Sequence, residues 1–235
     1  MPYYPFFYEP TMILILPALL FALYAQYKVQ STFNKYVRVP SRIGMTGAQV
    51  ARSILDKAGL YDVSIEMTYG HLSDHYDPRT KKLRLSPEVY RGTSLASLGV
   101  AAHETGHALQ HAENYVPLTL RSQIVPIASF GSTLAFPLFF IGFIFGVQGL
   151  GSTLMDLGIW LFAAVVAFHL ITLPVEYNAS ARAMQLLLSG GYISKDEAPR
   201  TRAVLNAAAL TYLAATAMAI MQLLRLIILR NSRDD

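Results

Sequence analysis

The run Ala102-His103-Glu104-Thr105-Gly106-His107-Ala108 carries the residues best suited to chemistry. It lies in a stretch, Thr93 to Gln110, that reads as one helix. Residues four apart share a helix face, so His103 and His107 can offer two imidazoles to a single metal ion. Glu104 stands beside them, where its carboxylate can reach a water held by that metal. The chemistry implied is hydrolysis: a water attacks a carbonyl while the glutamate takes its proton. The rival account, a helix with two unrelated histidines, is disfavoured by the helical context the pattern requires.

Two histidines leave a catalytic zinc one protein ligand short. The candidate is Glu176, in Pro174-Val175-Glu176-Tyr177-Asn178-Ala179-Ser180-Ala181-Arg182. Pro174 suits the first turn of a helix, which the pattern extends towards Leu188 and stops at Gly190-Gly191. Glu176 reads equally as a carboxylate solvated at that helix start, where the dipole favours it. Membrane parity, derived below, tips the balance to the ligand. Ser180 and Arg182 follow about one turn later, as candidates for a bond behind a ligand or for steadying the oxyanion. Arg182 reads equally as an ordinary surface charge. His71 and His75 fall in loop-like surroundings and read as solvated, while His111 lies one turn too far along. His169 and Asp156, in an apolar run, read as turned to the interfaces.

The elements that must position these groups follow from composition. Of 235 residues, 53% are hydrophobic and 14% charged, against about a quarter charged in a typical soluble domain. This is the profile of a membrane protein. With no cysteine, disulfides and thiolate-held zinc are excluded. Four runs are long and apolar enough to cross a bilayer: about 11–27, 124–147, 153–173 and 207–224. The first follows Tyr3, Tyr4, Phe6, Phe7 and Tyr8, an expected interfacial belt, and is basic only after its apolar stretch, so it reads as an uncleaved anchor.

Of the 19 Lys and Arg residues, 12 lie between Lys28 and Arg121 and 4 between Arg182 and Arg202. The positive-inside rule places both stretches in the cytoplasm and the link around Gly149-Leu150-Gly151 outside. Arg225, Arg230 and Arg233 after the fourth run go against that rule if the run spans. Between His107 and Glu176 the chain crosses twice, which returns Glu176 to the side of the histidines. The net charge of +4 is accounted for by topology, and nucleic acid is not expected as a partner.

The segment from Lys28 to Arg121 has its own pattern. Thr46-Gly47-Ala48-Gln49 opens an amphipathic helix closed by Gly59. Val63 to Met67 and Lys82 to Ser86 alternate like strands, His71 to Asp77 reads as loop, and Asp77-Pro78-Arg79-Thr80 is a turn signal. A small sheet or hairpin is expected just before the histidine helix. Its strand Leu83-Arg84-Leu85 reads either as a partner for an extended substrate or as ordinary core.

Four blocks together resemble the YugP-type neutral zinc metallopeptidases of bacterial membranes. They are Tyr76-Asp77-Pro78-Arg79-Thr80, Leu83 to Pro87, Ala101 to Gln110, and Leu173 to Ser180. More distantly, the arrangement is similar to membrane gluzincins such as the heat-shock membrane protease and the CAAX prenyl protease. The resemblance implies zinc held by His103, His107 and Glu176, with Glu104 as base and a cytoplasmic active site. The distant relatives carry an aspartate one turn after the third ligand. This chain has Ser180 there, which puts support from that position in question.

The sequence thus predicts a mostly α, multi-pass membrane protein with about four transmembrane helices. Its cytoplasmic zincin-like part, residues 28–123 and 174–206, forms with them a single membrane-integral metallopeptidase domain. The expected activity is zinc-dependent endopeptidase, with one catalytic zinc ion, a protein or peptide substrate, and residence in a bacterial inner membrane. The competing class is a catalytically silent zinc-binding scaffold or chaperone, which would not need Glu104. A transporter is less well matched, since the apolar runs carry few polar groups.

Overall fold

Long apolar runs become long helices here, and the polar stretches between them build a smaller α+β assembly. The computed structural model describes residues 10–146 and 149–232; the aromatic belt at Tyr3 to Tyr8 and Arg233 lie outside the described residues. After a short 3-10 turn at Pro10–Leu14, the helices are α1 (Leu16–Tyr36), α2 (Gly47–Lys57), α3 (Pro87–Tyr90), α4 (Leu95–Ala112), α5 (Val116–Phe145), α6 (Leu150–Ser189) and α7 (Ala198–Asn231). Three strands, β1 (Ser64–Met67), β2 (His75–Asp77) and β3 (Lys82–Leu85), lie between α2 and α3. Four helical segments, Thr11–Tyr36, α5, α6 and α7, are long and apolar enough to cross a membrane. The protein is a multi-pass, mostly α membrane protein with a small sheet.

Two compact units divide the chain: one from Met1–Ala25, Leu120–Leu173 and Thr211–Asp235, the other from Gln26–Thr119 and Pro174–Leu210. The first is inverted relative to a soluble fold. Leu20, Leu23, Phe130, Ile144 and Trp160 are exposed, as a lipid solvent allows. Its interior holds Phe139, Met155, Phe162 and Leu226. Helices α5 and α6 touch through glycine: a Cβ on Gly158 would stand 2.7 Å from the Ala135 carbonyl oxygen. Small residues at such crossings let backbones meet where no hydrophobic force drives them together.

Two polar contacts order the ends of this unit. Arg230 Nε lies 3.0 Å from Asp156 Oδ1, and Arg225 Nε lies 3.3 Å from Thr11 Oγ1. The C-terminal end of α7 is therefore level with the start of α6 and the start of the first span. The fourth run is long and apolar enough to cross, and Arg225 and Arg230 have partners rather than standing alone against the charge rule.

In the second unit the sheet has the order β1-β3-β2, with β1 parallel and β2 antiparallel to β3. This corrects two expectations. The hairpin partner of β3 is β2, in the stretch read as loop, and β1 joins from the other side. The turn between β2 and β3 is an Asx turn in which Thr80 and Arg79 donate to the Asp77 carboxylate. Thr80's hydroxyl is the main cause holding Asp77 down at about 2. The reading of Leu83-Arg84-Leu85 as a substrate-pairing strand is also overturned. Both edges of β3 are already bonded, so its backbone has no ladder left to offer. Leu83 and Leu85 are fully buried beside Phe33, Leu55, Val63 and Val89.

Helix α2 opens with a complete capping box between Thr46 and Gln49. Helix α4, capped by Ser94, has 14 of its 18 residues buried, because it is wedged between two apolar clusters. A helix buried all round must find partners for every polar side chain it carries. Its alanines and glycines allow the close neighbours that supply them.

Candidate metal site

Glu176 is placed differently from expectation. It lies inside α6, which runs unbroken through Pro174, so no helix start or helix dipole acts on it. Proline costs one backbone bond there, but the apolar turns before it carry the helix on. The helix ends as predicted by sequence: Gly191 takes φ +72°, with Gly191 N donating to Leu188 O and Tyr192 N to Leu187 O, a Schellman motif.

Gly106 brings α4 against this helix. A Cβ there would lie 2.9 Å from the Ala179 carbonyl oxygen, so only glycine permits the approach. Close to this contact, His103 Nε2 stands 3.2 Å and His107 Nε2 3.5 Å from Glu176 Oε2. One donor atom from each of the three lies within 4.8 Å of the others, and among the described residues this is the group of that kind. Glu176 is 2% exposed, Glu104 and His107 each 9%.

The outer ring nitrogens are tied back. Ser180 Oγ is 3.1 Å from His103 Nδ1, so serine makes the contact that was in question at that position. Gln110 Oε1 is 2.9 Å from His107 Nδ1, while Gln110 Nε2 donates to Val175 O and to Asn178 Oδ1, both at 2.9 Å. With its amide hydrogens so committed, Gln110 presents oxygen to His107. The Nδ1 of His107 must donate, which leaves Nε2, 3.5 Å from Glu176 Oε2, as the nitrogen that takes up either a metal ion or a proton. A donor set of two inward-facing imidazole nitrogens and one carboxylate fits zinc.

The charges agree. Burial opposes an imidazolium at His107, but the bond to Glu176, the charges of Glu104 and Glu176, and Gln110 outweigh it and raise its pKa. The pocket favours a positive charge. Asp74 adds a further carboxylate close enough to feel Glu104; it accepts from Ser86 N at 2.7 Å and from Ser86 Oγ, and burial is the main cause raising its pKa.

Arg182 pairs with Glu113 at 2.7 Å and donates to Asn178 at 2.7 Å. It therefore steadies Asn178, which holds Gln110. Of the other four histidines, His169 packs edge-on against Phe168 within α6, and three are engaged by polar groups. His111 meets Tyr76 Oη at 2.9 Å, His71 faces Glu88 at 3.7 Å, and His75 is 2.9 Å from Ser73 O. Sequence reasoning missed Gln110 and Asp74. Gln110 could have been found as the polar residue three beyond His107 on a buried helix; Asp74 gave no local signal.

Gln110→Leu fills the same space but leaves His107 Nδ1 and Val175 O without that partner. We expect zinc affinity to fall by about 10–100-fold, as for other groups that orient a ligand. Competition with a chelator measures it, and affinity within about twofold of wild type would remove Gln110 from that role.

Comparison with known proteins agrees with this geometry. The sequence model of a family described as "putative neutral zinc metallopeptidase" matches residues 11–231. A protein of Bacillus subtilis (strain 168), described as "putative membrane protease YugP", is 50% identical over 226 residues, covering 95% of this chain and 98% of the relative. No solved structure matches. The chain belongs to this family of neutral zinc metallopeptidases.

Proposed function

We propose that the protein is a membrane-integral zinc endopeptidase, with one zinc ion held by His103, His107 and Glu176 and with Glu104 as general base. The observation that carries this is the convergence of both Nε2 atoms on the Glu176 carboxylate while both Nδ1 atoms are tied outward. Such an arrangement holds both rings in place and sets the tautomer of His107 before any ion arrives, so little is left to reorganise. Zinc supplies Lewis acidity there, polarising the scissile carbonyl and acidifying water. Glu104 takes the proton of the attacking water and delivers it to the leaving amine nitrogen.

Residues 28–123 and 174–206 are the catalytic part, joined to the spans as one membrane-integral domain. The basic excess of these stretches supports a cytoplasmic active site in a bacterial inner membrane. The Gly149 link and the C-terminal tail then face outward together.

Detergent-purified protein should contain zinc and cleave a quenched unfolded substrate. Chelation should abolish cleavage, and added zinc should restore it. Zinc-loaded protein that cleaves no unfolded substrate would replace this reading with the scaffold. Protein that binds no zinc would overturn it outright.

A further inference from the structure

Arg202, Gln185 and Asn206 are exposed, and among the described residues their side chains have no hydrogen-bond or ion-pair partner. All three border a cleft of about 390 Å³ between the end of α6 and the start of α7, within the second unit. Its apolar floor is formed by the buried Met184 and Leu205. Ser180 also lines it, and Ser180 Oγ is the atom 3.1 Å from His103 Nδ1. The cleft thus begins behind His103, on the side of its ring away from Glu176.

A guanidinium without a partner, set over an apolar floor and beside two free amides, matches one kind of side chain: a short methylene stem ending in a carboxylate. Arginine takes carboxylates in a forked, charge-assisted geometry. Met184 and Leu205 would cover the stem, and Gln185 or Asn206 can donate to whichever oxygen Arg202 leaves. An extended chain advances about 3.3 Å per residue, so a peptide that runs from the metal site past His103 and Ser180 would enter this cleft a few positions on.

We propose that the cleft is a specificity pocket for an acidic residue of the peptide substrate, a few positions from the scissile bond, with Arg202 as its recognition residue. The inference rests on the peptidase reading and names a feature of its substrate. Arg202 is a binding residue and takes no part in proton transfer.

Binding is the clean test, since it does not depend on turnover. The full chain carrying Glu104→Gln is placed in phosphatidylcholine nanodiscs. Labelled peptides differing only by Glu, Gln or Lys at each position around a central bond are titrated by fluorescence anisotropy. At one position the Glu peptide should bind about five- to tenfold tighter than its Gln twin. Adding Arg202→Gln should bring that ratio to about one, and Arg202→Glu should turn the preference towards Lys. Zinc content of each variant reports that the site has folded.

A Glu preference that survives Arg202→Gln, or no preference at any position, overturns the proposal. So does an Arg202-dependent affinity for phosphatidylglycerol in place of a peptide preference, which would make the cleft a lipid headgroup site. Wild-type cleavage of the same peptides is scored separately. Peptides bound through Arg202 yet never cleaved would sink the peptidase reading while leaving the pocket in place.

Discussion

Glu104→Gln is expected to lower kcat by about 10²–10⁴-fold, the usual contribution of a positioned acid–base group, while zinc content stays at the wild-type level. The two outcomes separate because the residue has one function and not the other. Glutamine keeps the size and shape of the side chain in a helix whose neighbours are almost wholly buried, so packing is retained. It cannot accept the proton of the attacking water. The ligand set of His103, His107 and Glu176 is untouched, as are the bonds to Ser180 and Gln110 that orient it. Single-turnover cleavage of a quenched peptide beside metal analysis of the same sample measures both. Turnover within tenfold of wild type would remove Glu104 from the base role. Loss of zinc along with activity would mean that Glu104 helps to hold the ion.

Gly106→Val is the second large effect, and it acts through distance. Replacing a glycine inside an exposed helix stabilises it by up to about 1 kcal/mol for alanine, less for a β-branched residue. Here that gain is outweighed. The first carbon added would meet the Ala179 carbonyl oxygen at 2.9 Å and its Cα at 3.3 Å, and both belong to helix backbone that has no rotamer to escape into. Overpacking of this kind costs about 1–3 kcal/mol, and valine adds two further methyls. The strain is relieved by separating α4 from α6. That movement carries His103 and His107 away from Glu176 and Ser180, so we expect weaker zinc binding together with a lower Tm. Gly106→Ala should show the same changes to a smaller degree. Metal analysis on the folded, monodisperse fraction distinguishes this from plain unfolding. A valine variant that binds zinc like wild type would show that the close approach does not set the site.

The features legible in the sequence are those with a local cause. The four-residue spacing of His103 and His107 fixes a shared face wherever that stretch is helical. Apolar length identifies four spans without reference to what they touch. The turn at Asp77 to Thr80, the capping box at Thr46 and the glycine stop at Gly191 each rest on bonds between residues a few positions apart. Even the meeting of Glu176 with the histidines is half-determined this way, since counting two crossings returns the chain to the same side.

Tertiary structure decided the rest. Short alternating strands state which residues face inward but not which strand lies beside which. That is why β3 was legible as a strand and its central position, with β1 parallel on one side and β2 on the other, was not. Pro174 reads locally as the first turn of a new helix, yet α6 passes through it, because the apolar turns before it and the packing of Ala179 on Gly106 outweigh one missing backbone bond. The position of Gln110, three beyond His107, hints at a role, but its sequence neighbours name no partners for its amide. Only the approach of α6, about 65 residues further along, gives it Val175 and Asn178 as partners and so fixes the tautomer of His107. Spacing along one helix chose the ligands that α4 could offer. The distance between two helices decided that Glu176 would stand within reach of them, because packing between distant segments depends on shapes that neither segment states alone.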